Sequence, residues 1–186
     1  MADETAEWVT RASSIDYECP GFEVRKDDVT LPDGTETDYH YVDESPAVVI
    51  LPFLDSEGTG TREVVTIREW RQAVGRTNRG LPAGSIEGDE DVLVAAQREL
   101  HEETGYEADR LEPLLTVEPT NGITNSVHHH FVAYGCQRAD EQSLDFNETI
   151  DVRTEPYDEL LADVVDDRIR DGRTATAVLQ YELTHR

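Results

Sequence analysis

The chain is almost without lysine. Lys26 is the only one in 186 residues, and 16 basic residues face 41 acidic ones, a formal net charge of −25. A surface of that sign repels nucleic acid and anionic membranes, which argues against either as a partner. Long hydrophobic runs are also missing, and none approaches the roughly 20 apolar residues of a bilayer span. The stretch Met1–Trp8 is acidic, with neither a basic start nor an apolar segment. No secretory leader is therefore expected, and a cytoplasmic location is. Cysteine is scarce: Cys19 and Cys136 have no metal-ligand spacing. Two inert thiols in a reducing cytosol are preferred to a single disulfide. Acid excess with so little lysine resembles proteins of salt-adapted organisms, where ionic strength screens self-repulsion; ordinary solubility is the alternative.

Hydrophobic residues make up 37% of the chain, enough for a proper core. Residues 1–18 read as a polar arm. Phe22–Val29 and Asp38–Val42 read as short strands around the turn signal Leu31-Pro-Asp-Gly34-Thr. Ala47–Phe53 reads as a buried strand, and after the loop Asp55–Gly60 the segment Glu63–Trp70 pairs back as another. Leu114–Val117, Val127–Tyr134 and Ile150–Arg153 are further strand candidates. Two helices close the chain, with apolar residues at helical spacing from Tyr157 to Val165 and from Ala175 to Leu183. Strands flanked by helices indicate an α/β layered domain. The expected division is an arm and small β region over 1–45, then a larger domain over 46–186.

The centre of the chain carries the chemistry. It reads Gly84-Ser-Ile-Glu-Gly-Asp-Glu90, then seven residues, then Arg98-Glu-Leu-His-Glu-Glu-Thr-Gly105-Tyr106. A helix is expected to start near Asp89, with Asp89, Glu90 and Asp91 in its first turn, and to stop at Gly105. At about 100° per residue, Val92, Ala96 and Leu100 form an apolar face. Glu99 and Glu103 fall on nearly the same stripe, with Glu102 to one side. Carboxylates turned towards the protein body are costly unless a cation neutralises them. Oxygen ligands suit Mg²⁺ or Mn²⁺, not zinc. The alternative, a solvated acidic helix, would place the acids on the opposite face.

This run resembles the Nudix hydrolase signature, with Gly84, Glu90, Arg98, Glu99, Glu102, Glu103 and Gly105 at its fixed positions and apolar Leu100 and Tyr106 beside them. The resemblance implies a Nudix fold, a mixed β-sheet between helices with a small N-terminal strand region. It implies that Glu99, Glu102 and Glu103 bind divalent metal, that Arg98 orients them and that Glu90 supports the loop. The Ala83 carbonyl joins the metal shell, and water attacks phosphorus with the metal's help.

Further features resemble the ADP-ribose or ADP-sugar pyrophosphatase group. The strand before the box ends Glu69-Trp70-Arg71, making Arg71 a substrate-phosphate arginine and Trp70 either a base-stacking group or core. A loop, Glu118-Pro119-Thr-Asn-Gly122-Ile-Thr-Asn125, follows at the characteristic distance and brings Gly122 towards the substrate. Asn147-Glu148 resembles the acidic stretch that supplies a further metal ligand or base. The chain departs from the group in having Asn121-Gly122 for Pro-Gly and Phe146 where some relatives carry an acid. The general base is Glu148, Glu102 or Glu103, with Glu148 preferred.

The arginines Arg62, Arg68, Arg71, Arg76 and Arg79 form a basic island, either clamping phosphate or pairing with surface acids; only Arg71 is assigned to substrate. In His128-His129-His130 strand alternation turns His129 away from its neighbours, so imidazoles of an ordinary strand are preferred to a metal triplet. The function implied is Mg²⁺- or Mn²⁺-dependent hydrolysis of ADP-ribose or an ADP-sugar to AMP and a sugar phosphate, by a homodimer paired through its N-terminal strands. The alternatives are another nucleoside diphosphate derivative as substrate, or a Nudix module that senses nucleotides without turnover.

Overall fold

The computed structural model describes residues 7–54, 62–144, 146 and 149–185. The expected loop Asp55–Gly60, together with Asn147 and Glu148, lies outside the described residues. The chain divides into two units: residues 1–45 with 118–126, and residues 46–117 with 127–186.

The first unit is an antiparallel meander of β1 (Val9–Cys19), β2 (Phe22–Thr30) and β3 (Glu36–Asp43). The expectation of a polar arm over 1–18 is thus corrected: most of it is strand, paired with β2 from Val9↔Thr30 to Cys19↔Phe22. Its side chains are nearly all exposed, so no buried face imposed an apolar alternation to read. The β2–β3 turn closes through Gly34 N–H to the Leu31 carbonyl at 2.9 Å, with Gly34 at φ 86°. The loop 118–126 belongs to this unit. Ile123 carbonyl accepts from Val42 N–H at 2.8 Å, Asn125 Oδ1 from Glu44 N–H at 3.1 Å, and Gly122 carbonyl from the Tyr39 hydroxyl at 3.0 Å.

The second unit runs β4 (Ala47–Pro52), β5 (Glu63–Arg71), β6 (Arg76–Gly80), β7 (Ala83–Ser85), α1 (Val92–Thr104), β8 (Tyr106–Glu107), β9 (Arg110–Val117), β10 (His128–Tyr134), β11 (Gln137–Arg138), β12 (Ile150–Pro156), α2 (Tyr157–Val165) and α3 (Gly172–His185). One sheet has the order β7-β4-β10-β9, with β4 and β10 parallel; another is β12-β5-β6, all antiparallel; β8 and β11 form a pair. Strand β4 is buried on both faces, which explains its unbroken apolar run. Val48 and Ile50, with Phe131 and Ala133 of β10, pack against Ala95, Ala96 and Leu100 of α1. Val49 and Leu51, with Val132 and Tyr134, pack against Leu160, Ala177, Val178 and Tyr181 of α2 and α3. The expected mixed sheet between helices is therefore what the chain builds. No helix among the described residues is long and apolar enough to cross a membrane.

Strand β5 does not pair back on β4 as expected. It lies between β12 and β6, and meets the residues just after β4 through the Phe53↔Val64 bridge and the Leu54 N–H to Glu63 carbonyl bond at 3.0 Å. Strands β6 and β7 were illegible because Arg-Thr-Asn-Arg-Gly and Ala-Gly-Ser carry no period-two apolar signal. The box helix also starts later than Asp89. Asp91 is its N-cap, accepting from Leu93 N–H at 2.9 Å, so Asp89 and Glu90 precede the helix. A turn closed from Glu90 N–H to the Glu87 carbonyl at 2.9 Å, with Gly88 at φ 51°, leaves Glu90 free for another role. Gly105, at φ 73°, ends the helix where expected.

Candidate active site

Helix α1 places its carboxylates as its phase requires. Glu99 and Glu103 are 8% and 3% exposed, on the face that also buries Ala95, Ala96 and Leu100, while Glu102 stays half-exposed. Arg98 gathers the acids around it. Its Nε donates to Glu90 Oε1 at 3.1 Å. One terminal nitrogen donates to Glu99 Oε1 at 2.8 Å and Glu102 Oε2 at 2.9 Å. The other donates to Glu90 Oε2 at 3.0 Å and the Ser85 carbonyl at 2.9 Å. The Glu90 carboxyl is held below its ordinary pKa, chiefly by the hydrogen bonds from Arg98, and these bonds raise the Arg98 pKa in turn.

The strand before the helix completes the cluster. Ala83 N–H donates to Glu103 Oε2 at 2.9 Å. A Cβ on Gly84 would overlap the Glu99 carboxylate, so glycine is required there for close approach rather than for an unusual φ. Gln142 Nε2 donates to the Glu103 carbonyl at 2.6 Å and to the Ile150 carbonyl at 3.3 Å, tying the end of α1 to β12. Neither Gln142 nor the Ser85 carbonyl could have been found from the sequence, because both meet their partners only through the tertiary fold.

One guanidinium serves Glu90, Glu99 and Glu102, so the cluster keeps an excess of negative charge, part of it out of water. Such an arrangement offers oxygen donors of the kind a hard cation takes. Among the described residues no three His, Cys, Asp or Glu side chains form a ready-made metal cage. Glu148, expected as a ligand or base, lies outside them.

Arg71 sits at the end of β5, paired with Glu69 at 2.7 Å, and lines a small cavity with Asn78, Asp171 and Arg173. Trp70 is 53% exposed, which corrects the core alternative; its indole N–H donates to Gln72 at 2.9 Å. Of the other island arginines, Arg79 pairs with Glu155 and Asp163, and Arg62 lies over the Phe53 ring at 3.7 Å. Gly122 lies in the first unit.

The NUDIX domain family model matches residues 43–173. The chain belongs to the Nudix family. Over 165 residues it is 32% identical to a methanol dehydrogenase activator of Bacillus methanolicus, covering 86% of each chain. Over 158 residues it is 30% identical to an ADP-ribose pyrophosphatase of Bacillus subtilis (strain 168), covering 84% of this chain and 83% of that one. It shares the fold of a solved ADP compounds hydrolase, with a TM-score of 0.79 at 21% identity over 95% of this chain and 93% of the other. The expected class, a Nudix hydrolase acting on phosphorus anhydrides, stands. Nudix hydrolases generally use divalent metals, and the oxygen-rich cluster on α1 suits them.

The histidine run follows strand alternation. His128 and His130 share a face, with ring centroids 6.4 Å apart, and His129 pairs with the Thr116 hydroxyl at 3.1 Å. His130 is 1% exposed, and neither ring nitrogen has a hydrogen-bond partner among the described residues. Burial first, then His128 and Arg173, push its pKa down to about 4.

Two outcomes are expected. Gly84→Ala should displace Glu99 and weaken Mn²⁺ binding by about 10–100-fold with an unchanged far-UV spectrum; unchanged affinity would count against the cluster as a cation site. His130 is neutral in the folded chain, whereas the unfolded chain takes up a proton near the ordinary value of about 6.5. Its contribution to stability is complete above that value and is lost as pH falls towards 4. His130→Phe should flatten the urea-unfolding free energy across this window relative to wild type, and an identical pH slope would contradict the assignment.

Proposed function

We propose that this chain hydrolyses the diphosphate of ADP-ribose or a related ADP-sugar, giving AMP and a sugar phosphate, with Mg²⁺ or Mn²⁺ as cofactor. The observation that carries this reading is the pair of buried carboxylates, Glu99 and Glu103, against the Cβ-free Gly84 and the Ala83 amide. Glu99, Glu102, Glu103 and the Ala83 carbonyl, together with Glu148, would hold the metal. A divalent cation supplies charge neutralisation for the diphosphate and activates water for attack on phosphorus.

The chain's own residues do the rest. Arg98 fixes the directions of Glu99 and Glu102, and its link to Glu90 and Ser85 locks the loop to the helix. Glu148 takes the proton from attacking water, or Glu102 or Glu103 does so in its place. Arg71 binds a phosphate oxygen, exchanging its pairing with Glu69 for a charge-assisted bond. The exposed face of Trp70 stacks on the base. A chain of net charge −25 would repel an anionic substrate unless a bound cation offset that charge. The ADP specificity draws on the B. subtilis relative. The apolar side chains that the first unit exposes, Trp8, Ile15, Tyr17 and Phe22, support pairing of two copies through these strands.

A substrate panel tests the proposal. Full-length protein at known oligomeric state, set by light scattering, is incubated with ADP-ribose, GDP- and CMP-linked sugars and Mg²⁺ from low to multimolar salt. AMP and ribose 5-phosphate from ADP-ribose as the preferred reaction supports it, as does a dimer. Faster turnover of a different nucleotide conjugate displaces the ADP specificity, and tight binding without turnover under any metal makes the chain a sensor. Glu103→Gln is expected to lower kcat by about 100-fold or more with substrate affinity changed far less.

A further inference from the structure

The first turn of α3 reaches the strand that leads into the carboxylate cluster. Asp171 caps this helix, its Oδ2 accepting from Thr174 N–H at 3.0 Å and from the Thr174 hydroxyl at 2.6 Å. The same hydroxyl oxygen accepts from Leu81 N–H at 3.0 Å. Thr174 is fully buried and Leu81 is 2% exposed, so this amide has no recourse to water.

The direction of the relay is set by charge. Burial works to raise the Asp171 pKa, but Arg173 and the bonds from Thr174 outweigh it and the net shift is downward. An ionised Asp171 can only accept. The Thr174 proton must therefore point to it, which leaves the hydroxyl lone pairs for Leu81.

Leu81 lies where the chain leaves β6 and enters β7. The next residue, Pro82, has no N–H, and its carbonyl accepts from Ile50 N–H at 3.0 Å. Beyond it come the Ala83 amide on Glu103 and the gap at Gly84 that admits Glu99. A Cβ on Gly80 would come within 2.8 Å of Thr174 Oγ1 and 3.2 Å of Asp171 Oδ2, so the cap meets the strand at Gly80 as well as at the Leu81 amide.

We propose that Asp171 and Thr174 are positioning residues for the Glu99–Glu103 cluster, acting through the Leu81 amide to fix the segment 81–84. Their role is to set where the Ala83 amide and the Gly84 gap lie. The inference rests on reading Glu99 and Glu103 as the reacting centre.

The test compares Thr174→Val, which keeps shape and removes the hydroxyl, with Thr174→Ser, which restores it. Thr66→Val is the control: Thr66 is fully buried and its hydroxyl donates to Glu155 at 2.6 Å. Kinetics on the preferred diphosphate are read together with amide hydrogen exchange of residues 80–85 in metal-free protein. Thr174→Val should lose about 10-fold or more in kcat with KM within about 3-fold, and the segment should exchange faster relative to β4. Thr174→Ser should recover both. Thr66→Val, at a similar loss of melting temperature, should keep kcat within about 3-fold. Asp171→Asn, which lets an amide face the hydroxyl, should give a smaller loss of the same kind and serves if Thr174→Val does not fold. Retained kcat and exchange protection in Thr174→Val or Asp171→Asn would overturn the proposal, as would losses in both valine variants that simply follow stability. If the wild type hydrolyses no diphosphate, the hydrolase reading fails, while the exchange comparison still decides whether the relay fixes the segment.

Discussion

The structure of the candidate site depends on one guanidinium. Arg98 bonds to Glu90, Glu99 and Glu102 and to the Ser85 carbonyl, and so ties the loop before α1 to the helix itself. Five donors in a planar fork make this one residue sufficient; lysine, with a compact charge and no fork, could not join the same four groups. The fit is consistent with a chain that has almost abandoned lysine but kept arginine where geometry counts. Removing Arg98 would leave Glu90, Glu99 and Glu102 without their shared counter-charge.

Around this hub the fold leaves little freedom. The two-sided burial of β4 fixes the sheet between α1 and the α2–α3 pair, and the packing of Ala95, Ala96 and Leu100 then fixes the rotation of α1. Rotation decides that Glu99 and Glu103 face inward. The short strand β7, held antiparallel to β4 from Val49↔Ala83 to Ala47↔Ser85, brings Ala83 and Gly84 to meet them. Hydrophobic packing thus positions a polar site that hydrophobic packing alone would exclude.

Much of this was legible in the sequence because it is periodic. Glu99 and Glu103 share a stripe with Ala96 and Leu100, and a 3.6-residue repeat is enough to see it. Strand β4 was legible for a different reason, its unbroken apolar run. What escaped was either exposed or non-local. Strand β1 has no buried face, and β6 and β7 are polar and short. The later start of α1 turns on Asp91 as a cap, one of three adjacent acids that composition cannot tell apart. The roles of Gln142, Ser85 and Thr174 exist only once distant segments meet. Trp70 is exposed because burial of a strand tryptophan is decided by which side its sheet leaves open.

The central claim is that Arg98 organises the carboxylates for a cation instead of merely neutralising them. Mn²⁺ titration of wild type and Arg98→Gln, read by electron paramagnetic resonance at fixed ionic strength, separates the two. If Arg98 only neutralises, deleting its positive charge leaves a more negative cluster that binds Mn²⁺ more tightly. If it organises, Glu99 and Glu102 lose their common orientation and binding weakens. The account predicts weaker binding, by about 10-fold or more, in the correctly folded variant. Equal or tighter binding would contradict it.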